Sequence, residues 1–163
     1  MSLYCTDNHR TAEQLAEMRQ LEAAGICLFC PDGLRQQAPE QILWEADHWW
    51  VISNKFPYRG TSLHLLVIPH EHASDMIDLD PVSQSDFWNV LALIRERFDL
   101  KHYGLGVRNG NCRFTGATVA HVHAHILVGD ENSGTEIRMR FSSHPPAAAD
   151  VPRGSPSRHH PGG

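Results

Sequence analysis

No stretch of this 163-residue chain reaches the ~18–20 consecutive apolar residues of a membrane span. Met1 to Arg10 lacks the apolar core of a secretory leader. Neither charge sign dominates any region. The formal net charge is -5 with acids and bases mixed along the chain, so there is no basic stripe for a nucleic-acid polymer. No internal repeat is present, and the length suits one domain with a sizeable core. Cysteine is scarce: Cys5, Cys27, Cys30 and Cys112. Four cysteines can pair as disulfides in a secreted protein. A Cys-x-x-Cys gap in a leaderless chain reads better as thiol or metal chemistry. The expectation is therefore a reduced, cytoplasmic protein.

Periodicity divides the chain. Asp7 to Ala24 reads as a helix, with Leu15, Met18 and Leu21 at helical spacing and Gly25 as its stop. Cys27 to Gly33 reads as a compact turn. Ile42–Ala46 and His48–Ser53 read as strands, Lys55 to Thr61 as a loop, and His64 to Ile68 as a strand ended by Pro69. Asp80 as N-cap and Pro81 at the first helical position open a second helix carrying Phe87, Leu91, Ile94 and Phe98. Tyr103 to Val107 is a short strand, and Arg108 to Gly116 a Gly/Asn-rich loop. Thr135 to Phe141 alternates apolar and charged residues, which predicts a last edge strand. Strands joined mainly by hairpins, with two main helices, predict an α+β fold with an antiparallel sheet. Residues 1–142 are expected to form a single domain. The Pro/Ala/Gly-rich residues 143–163 are expected to be a tail that buries too little surface to order itself.

The most informative run is Gly116-Ala117-Thr118-Val119-Ala120-His121-Val122-His123-Ala124-His125-Ile126-Leu127-Val128-Gly129. Alternate residues of a strand share a face, so His121, His123 and His125 would line one side at steps of about 6.5–7 Å. Val122, Ala124 and Ile126 would enter a core on the other. Imidazoles so placed can be nucleophiles, proton donors or metal ligands near neutral pH. This His-x-His-x-His pattern resembles the histidine triad (HIT) superfamily of nucleotide hydrolases and transferases. Three further elements agree, in the same order: Cys27-Leu28-Phe29-Cys30; Asn54-Lys55-Phe56-Pro57-Tyr58 followed by His64-Leu65-Leu66-Val67-Ile68-Pro69; and Pro69-x-x-His72. The resemblance runs from about Gly25 to Asp130. It implies a HIT-like fold, usually paired as a homodimer.

The resemblance also implies roles. His123 matches the nucleophile that forms a nucleotidyl-histidine on the α-phosphate. His125 would bond phosphate oxygens as charge develops, and His64 matches an extra histidine that hydrogen-bonds within the triad. Cys27, Cys30, His72 and His121 match the ligands of a structural zinc, which takes four tetrahedral Cys and His donors. His70 stands two residues from His72 and is an alternative ligand. Asn54 matches a position that meets the ribose hydroxyls. Phe29 would flank the base or else pack beside the cysteines. Trp49 and Trp50 face opposite ways, so at most one lines a pocket. Arg108 and Arg113 are near enough in sequence to meet distal phosphates. Many HIT hydrolases carry Gln or Ser where Ala117 stands, and alanine has no donor. Thr118 or the loop at Asn109 would have to compensate.

The expected function is a nucleotide hydrolase or transferase. It would act at the α-phosphate of a nucleoside phosphoramidate or dinucleoside polyphosphate. A phosphorylase or nucleotidyltransferase, and a nucleotide-binding module without turnover, are the alternatives. A hydrolase with three histidines on one catalytic metal is a further one, but it leaves the Cys-x-x-Cys without a role.

Overall fold

The computed structural model describes residues 2–143. Five strands form its sheet: β1 (Ile42–Glu45), β2 (Trp49–Ser53), β3 (Thr61–Pro69), β4 (Gly104–Val107) and β5 (Ala124–Gly129). The order is β1-β2-β3-β5-β4 and every neighbouring pair is antiparallel. Four helices accompany them: α1 (Ala12–Ala23), α2 (Pro31–Gln37), α3 (Pro81–Arg97) and the single turn α4 (Cys112–Thr115). This is the expected α+β class.

Strand alternation gives the sheet two buried faces. Trp49, Val51, Leu65, Val67, Ala124 and Ile126 pack against α3 through Phe87, Val90, Leu91 and Ile94. Trp50, Ile52, Leu66 and Ile68 turn the other way, against Met18 and Leu21 of α1, Leu34 of α2 and the Cys27–Phe29 turn. Trp49 and Trp50 thus each anchor one core, and Trp49 Nε1 donates to Ser83 O at 2.9 Å. The helix α3 starts where its sequence signals place it, with Asp80 Oδ1 accepting from Val82 N at 2.8 Å and Pro81 following.

Four local expectations change. The first helix begins only at Ala12, because Thr11 caps it by accepting from Gln14 N, and Thr6–Asn8 is a separate turn. The segment after Cys30 is a two-turn helix rather than a turn. Pro31 opens it, and Gly33 is required there because a Cβ would overlap Cys27 O. Thr135 to Phe141 makes no strand. It crosses the sheet, with Met139 filling the space that Gly106 leaves open and Ile137 in contact range of Gly129.

The fourth change concerns the cysteines. Cys5 and Cys112 form a disulfide across a sequence separation of 107, while Cys27 and Cys30 are free thiols. The pairing was hidden because the N-terminal segment lies beside the triad run. Tyr4 bridges Val119, Cys5 N donates to Thr118 O at 2.9 Å, and Ala120 N donates to Leu3 O at 2.8 Å. Of the expected tail, Ser143 is tied in: its N–H donates to Phe114 O and its Oγ to Asn8 Oδ1. Residues 144–163 lie outside the described residues.

Candidate active site and metal centre

The three triad histidines are all buried, on the face of the sheet that α1 and the Cys27–Cys30 turn cover. His125 belongs to β5, and His121 and His123 precede it in the run that leads into the strand. Each ring is oriented by a different partner. His123 Nδ1 donates to the His121 carbonyl at 2.8 Å, which leaves the Nε2 lone pair facing a cavity of about 270 Å³. Burial, reinforced by the Arg108 charge, pushes the His123 pKa down to about 4, so the ring is neutral at pH 7. Phe29 meets its edge at a centroid distance of 4.9 Å.

His125 and His64 form a pair, with His64 Nε2 and His125 Nδ1 2.9 Å apart. The backbone N–H of Tyr58 donates to His64 Nδ1 at 3.0 Å, so the His64 proton sits on Nε2 and is donated to His125. Burial first, then the nearby Arg10, His123 and Arg108, lowers His64 to about 3. His125 is held well below its ordinary value, by burial and then by His123 and Arg108. The Tyr58 ring stacks on His125 at 5.5 Å and carries the Arg10 guanidinium 4.5 Å from its centroid.

His121 is turned the other way. Its Nε2 donates to Pro69 O at 2.9 Å, and its Nδ1 lies 3.5 Å from Cys27 Sγ and 3.8 Å from Cys30 Sγ. His72 Nδ1 is 3.3 Å from Cys30 Sγ. The donor atoms of Cys27, Cys30, His72 and His121 all lie within 4.8 Å of one another. Zinc–ligand bonds of about 2.0–2.3 Å in a tetrahedron place S and N donors about 3.5 Å apart, so this set fits the ion. The Pro69 carbonyl supplies the outer contact that fixes a ligand imidazole. Without metal, burial and the neighbouring Cys27 raise the Cys30 thiol to about 12. His70 is not part of the cluster: its ring packs on Trp50 and its Nε2 is 3.8 Å from Glu45.

The other expected site residues divide. Phe29, Asn54 and Thr118 line the cavity. Asn54 Oδ1 accepts from Phe56 N at 3.0 Å, and its Nδ2 lies beside the His64 ring, 3.3 Å from Nδ1 and 3.1 Å from Nε2. Asn109 does not reach the cavity; it is exposed, and its Oδ1 accepts from Met76 N at 2.9 Å in a neighbouring loop. Ala117 is buried outside the cavity lining, its carbonyl accepting from Asn8 Nδ2 at 2.8 Å. The N-terminal strap was missed altogether. Tyr4, Asn8 and Arg10 line the cavity, and only the Cys5–Cys112 pair hinted at them. Tyr58 stood inside a quoted motif without a role.

The sequence model of the HIT domain matches residues 35–132, more than half of the chain, and the protein belongs to that family. Two solved structures, with TM-scores above 0.5, agree on the fold. A histidine triad nucleotide-binding protein from Candida albicans is 21% identical with a TM-score of 0.53, over 72% of this chain and 82% of that one. A protein described as Hit-like is 24% identical with a TM-score of 0.51, over 60% of this chain and 93% of its own. A Zn-bound histidine triad family protein from Mycobacterium smegmatis is 26% identical with a TM-score of 0.47, over 66% and 77%. The zinc reading rests on the four donors in this chain instead. No helix among the described residues is long and apolar enough to cross a membrane.

Proposed function

We propose that this protein is a nucleotidyl hydrolase or transferase. It acts at the α-phosphate of a nucleoside phosphoramidate or dinucleoside polyphosphate. The observation that carries this reading is the His123 ring. Its Nδ1–H is held by a backbone carbonyl, and its neutral Nε2 opens to the cavity beside His125. A buried neutral imidazole with one fixed nitrogen is an activated nucleophile. Nε2 attacks the α-phosphorus, the bond to the leaving group breaks, and the His121 carbonyl stabilises the charge that develops on Nδ1–H. Water or phosphate then takes the nucleotide, giving a hydrolase or a phosphorylase. Phe29, Met18, Leu21 and Leu28 supply an apolar wall for the base, and Asn54 is assigned to the ribose.

Cys27, Cys30, His72 and His121 are assigned to one structural zinc, which would pin the Cys-x-x-Cys turn to the sheet. A homodimer fits the exposed Trp88 of α3 and Leu105 of the edge strand β4. A cytoplasmic location fits the free Cys27 and Cys30, and the Cys5–Cys112 bond weighs against it. Thiol titration of protein taken from intact cells decides.

The functional test incubates the protein with adenylyl substrates of both classes and looks by mass spectrometry for a nucleotide on His123. Bound nucleotide without turnover or adduct favours the alternative of a non-catalytic module.

A further inference from the structure

Arg108 follows β4 directly. The register pairs Gly106 with His125 and Val107 with Ala124, so Arg108 stands across from His123 and shares its face. Its guanidinium is held at two corners: Nε donates to Arg140 O at 2.6 Å, and Nη2 donates to Tyr58 Oη at 2.9 Å. The third corner, Nη1, lies 3.2 Å from His125 Nε2.

The proton count makes this contact informative. The Tyr58 N–H fixes His64 as an acceptor at Nδ1 and a donor at Nε2. His125 therefore accepts at Nδ1, and as a neutral ring it carries its proton on Nε2. Arg108 Nη1 and His125 Nε2 are then two donors side by side with no acceptor between them. An anionic oxygen accepting from both satisfies the pair. The charge of the cavity agrees. In a chain of net charge -5, Arg10, Lys55, Arg108, Arg138 and Arg140 all line it, and among the described residues Glu17 is the sole carboxylate in that lining. Glu17 is itself paired with Lys55.

We infer that Arg108 is the specificity-determining residue of this site, gripping with His125 the phosphate oxygens of a polyphosphate leaving group. The inference deepens the nucleotidyl-transfer reading and rests on it for the reacting phosphorus. As the bond from His123 Nε2 to the α-phosphorus forms, the bond to the bridging oxygen breaks and its electron pair stays on that oxygen. A polyphosphate leaves as an anion that Arg108 stabilises, and no proton donor is needed. An amine leaving group needs a proton, which neither an arginine nor the N–H of a neutral His125 readily gives up, and Ala117 lies outside the lining. The site thus selects nucleoside polyphosphates over amidates.

The test compares the full protein with Arg108→Ala and Arg108→Lys on three substrates: diadenosine tetraphosphate, an adenosine phosphoramidate and the p-nitrophenyl ester of AMP. Melting temperature checks folding. Arg108→Ala should lower kcat/KM on the polyphosphate by about 10²–10³-fold, as loss of one well-placed charge-stabilising donor does. It should lower the nitrophenyl ester, whose leaving group is already stable, by less than about tenfold. Arg108→Lys should restore part of the loss. An equal loss on the polyphosphate and the ester, or none, overturns the inference, as does an unmodified protein that turns over the amidate faster than the polyphosphate. Calorimetric binding of ATP and AMP separates it from the parent reading. If nothing is turned over but an ATP preference disappears in Arg108→Ala, the nucleotidyl reading falls and the anion site stands. If the unmodified protein binds ATP and AMP alike, the anion site is overturned.

Discussion

His121 and His123 are two residues apart, face the same side of the sheet, and are both buried, yet they serve two unlike regions. The Cys27–Cys30–His72–His121 cluster is closed on itself, with every donor aimed at its neighbours. The cavity at His123 and His125 instead has those two rings in its wall, with His64 bonded to His125 from behind. The difference is which ring nitrogen the backbone holds. Pro69 O takes Nε2 of His121 and leaves Nδ1 for sulfur; the His121 carbonyl takes Nδ1 of His123 and leaves Nε2 for substrate. One backbone carbonyl on each ring thus suits the same side chain to the two proposed roles, ligand and nucleophile.

Breaking the open region should cost chemistry and spare the fold. His123→Ala should reduce turnover by roughly 10⁴–10⁶-fold. Nucleotide affinity should stay within about tenfold, because Phe29, Asn54 and the arginines still line the cavity. Steady-state kinetics and calorimetry check both. Breaking the closed region should do the reverse. Cys30→Ser should lose about one equivalent of zinc by elemental analysis and at least about 3 kcal/mol of stability, roughly 6–12 °C in melting temperature. The kcat of the molecules still folded should stay within about threefold. Equal damage to turnover and stability in both variants would merge the two regions into one.

Acid should sharpen the contrast. His64 is lowered to about 3 and His123 to about 4, chiefly by burial. Between those values and 6.5 the unfolded chain binds protons that the folded chain refuses, so stability rises with pH there. Stability should be full above about pH 6.5 and fall steadily toward pH 4, while kcat stays flat down to about pH 5 because His123 is still neutral. Denaturant melts and kcat at half-unit pH steps check this. A kcat that titrates near 6.5 would mean that the nucleophile is solvated.

The smallest effect concerns Ala117. It is buried beside the cavity rather than in its wall, so Ala117→Gln should cost about 1–3 kcal/mol by overpacking. It should leave the ratio of amidate to polyphosphate turnover unchanged. A rise in amidate turnover would show that the side chain reaches the leaving group after all.

Much of this was legible in the chain. Period-two alternation put His121, His123 and His125 on one face, and the Asp80–Pro81 signal opened α3 where the structure has it. The Cys-x-x-Cys, Pro69-x-x-His72 and His121 elements converged because each sits at the end of a regular element or in a tight turn. Long-range placement was not legible. The Cys5–Cys112 bond depends on a segment pairing with Val119 more than a hundred residues away. Arg108 stood level with Arg113 as a candidate phosphate contact, since its placement depends on a register set against β5. Asn109, its sequence neighbour, turns away to cap Met76 N. Adjacent positions in the same polar loop therefore had opposite outcomes that no local pattern separates.

The order of the strands has a consequence in time. A chain emerging during synthesis makes β1, β2 and β3 as successive neighbours, but β3 then waits with an open edge. β4 has no neighbour at all until β5 inserts between them. His121, His123 and His125 arrive with that last strand, so the proposed metal cluster and the histidine cavity are completed in one event. A nascent chain stopped before residue 121 holds all four cysteines, an unpaired edge and neither complete site, which makes the interval before β5 emerges its greatest exposure to aggregation.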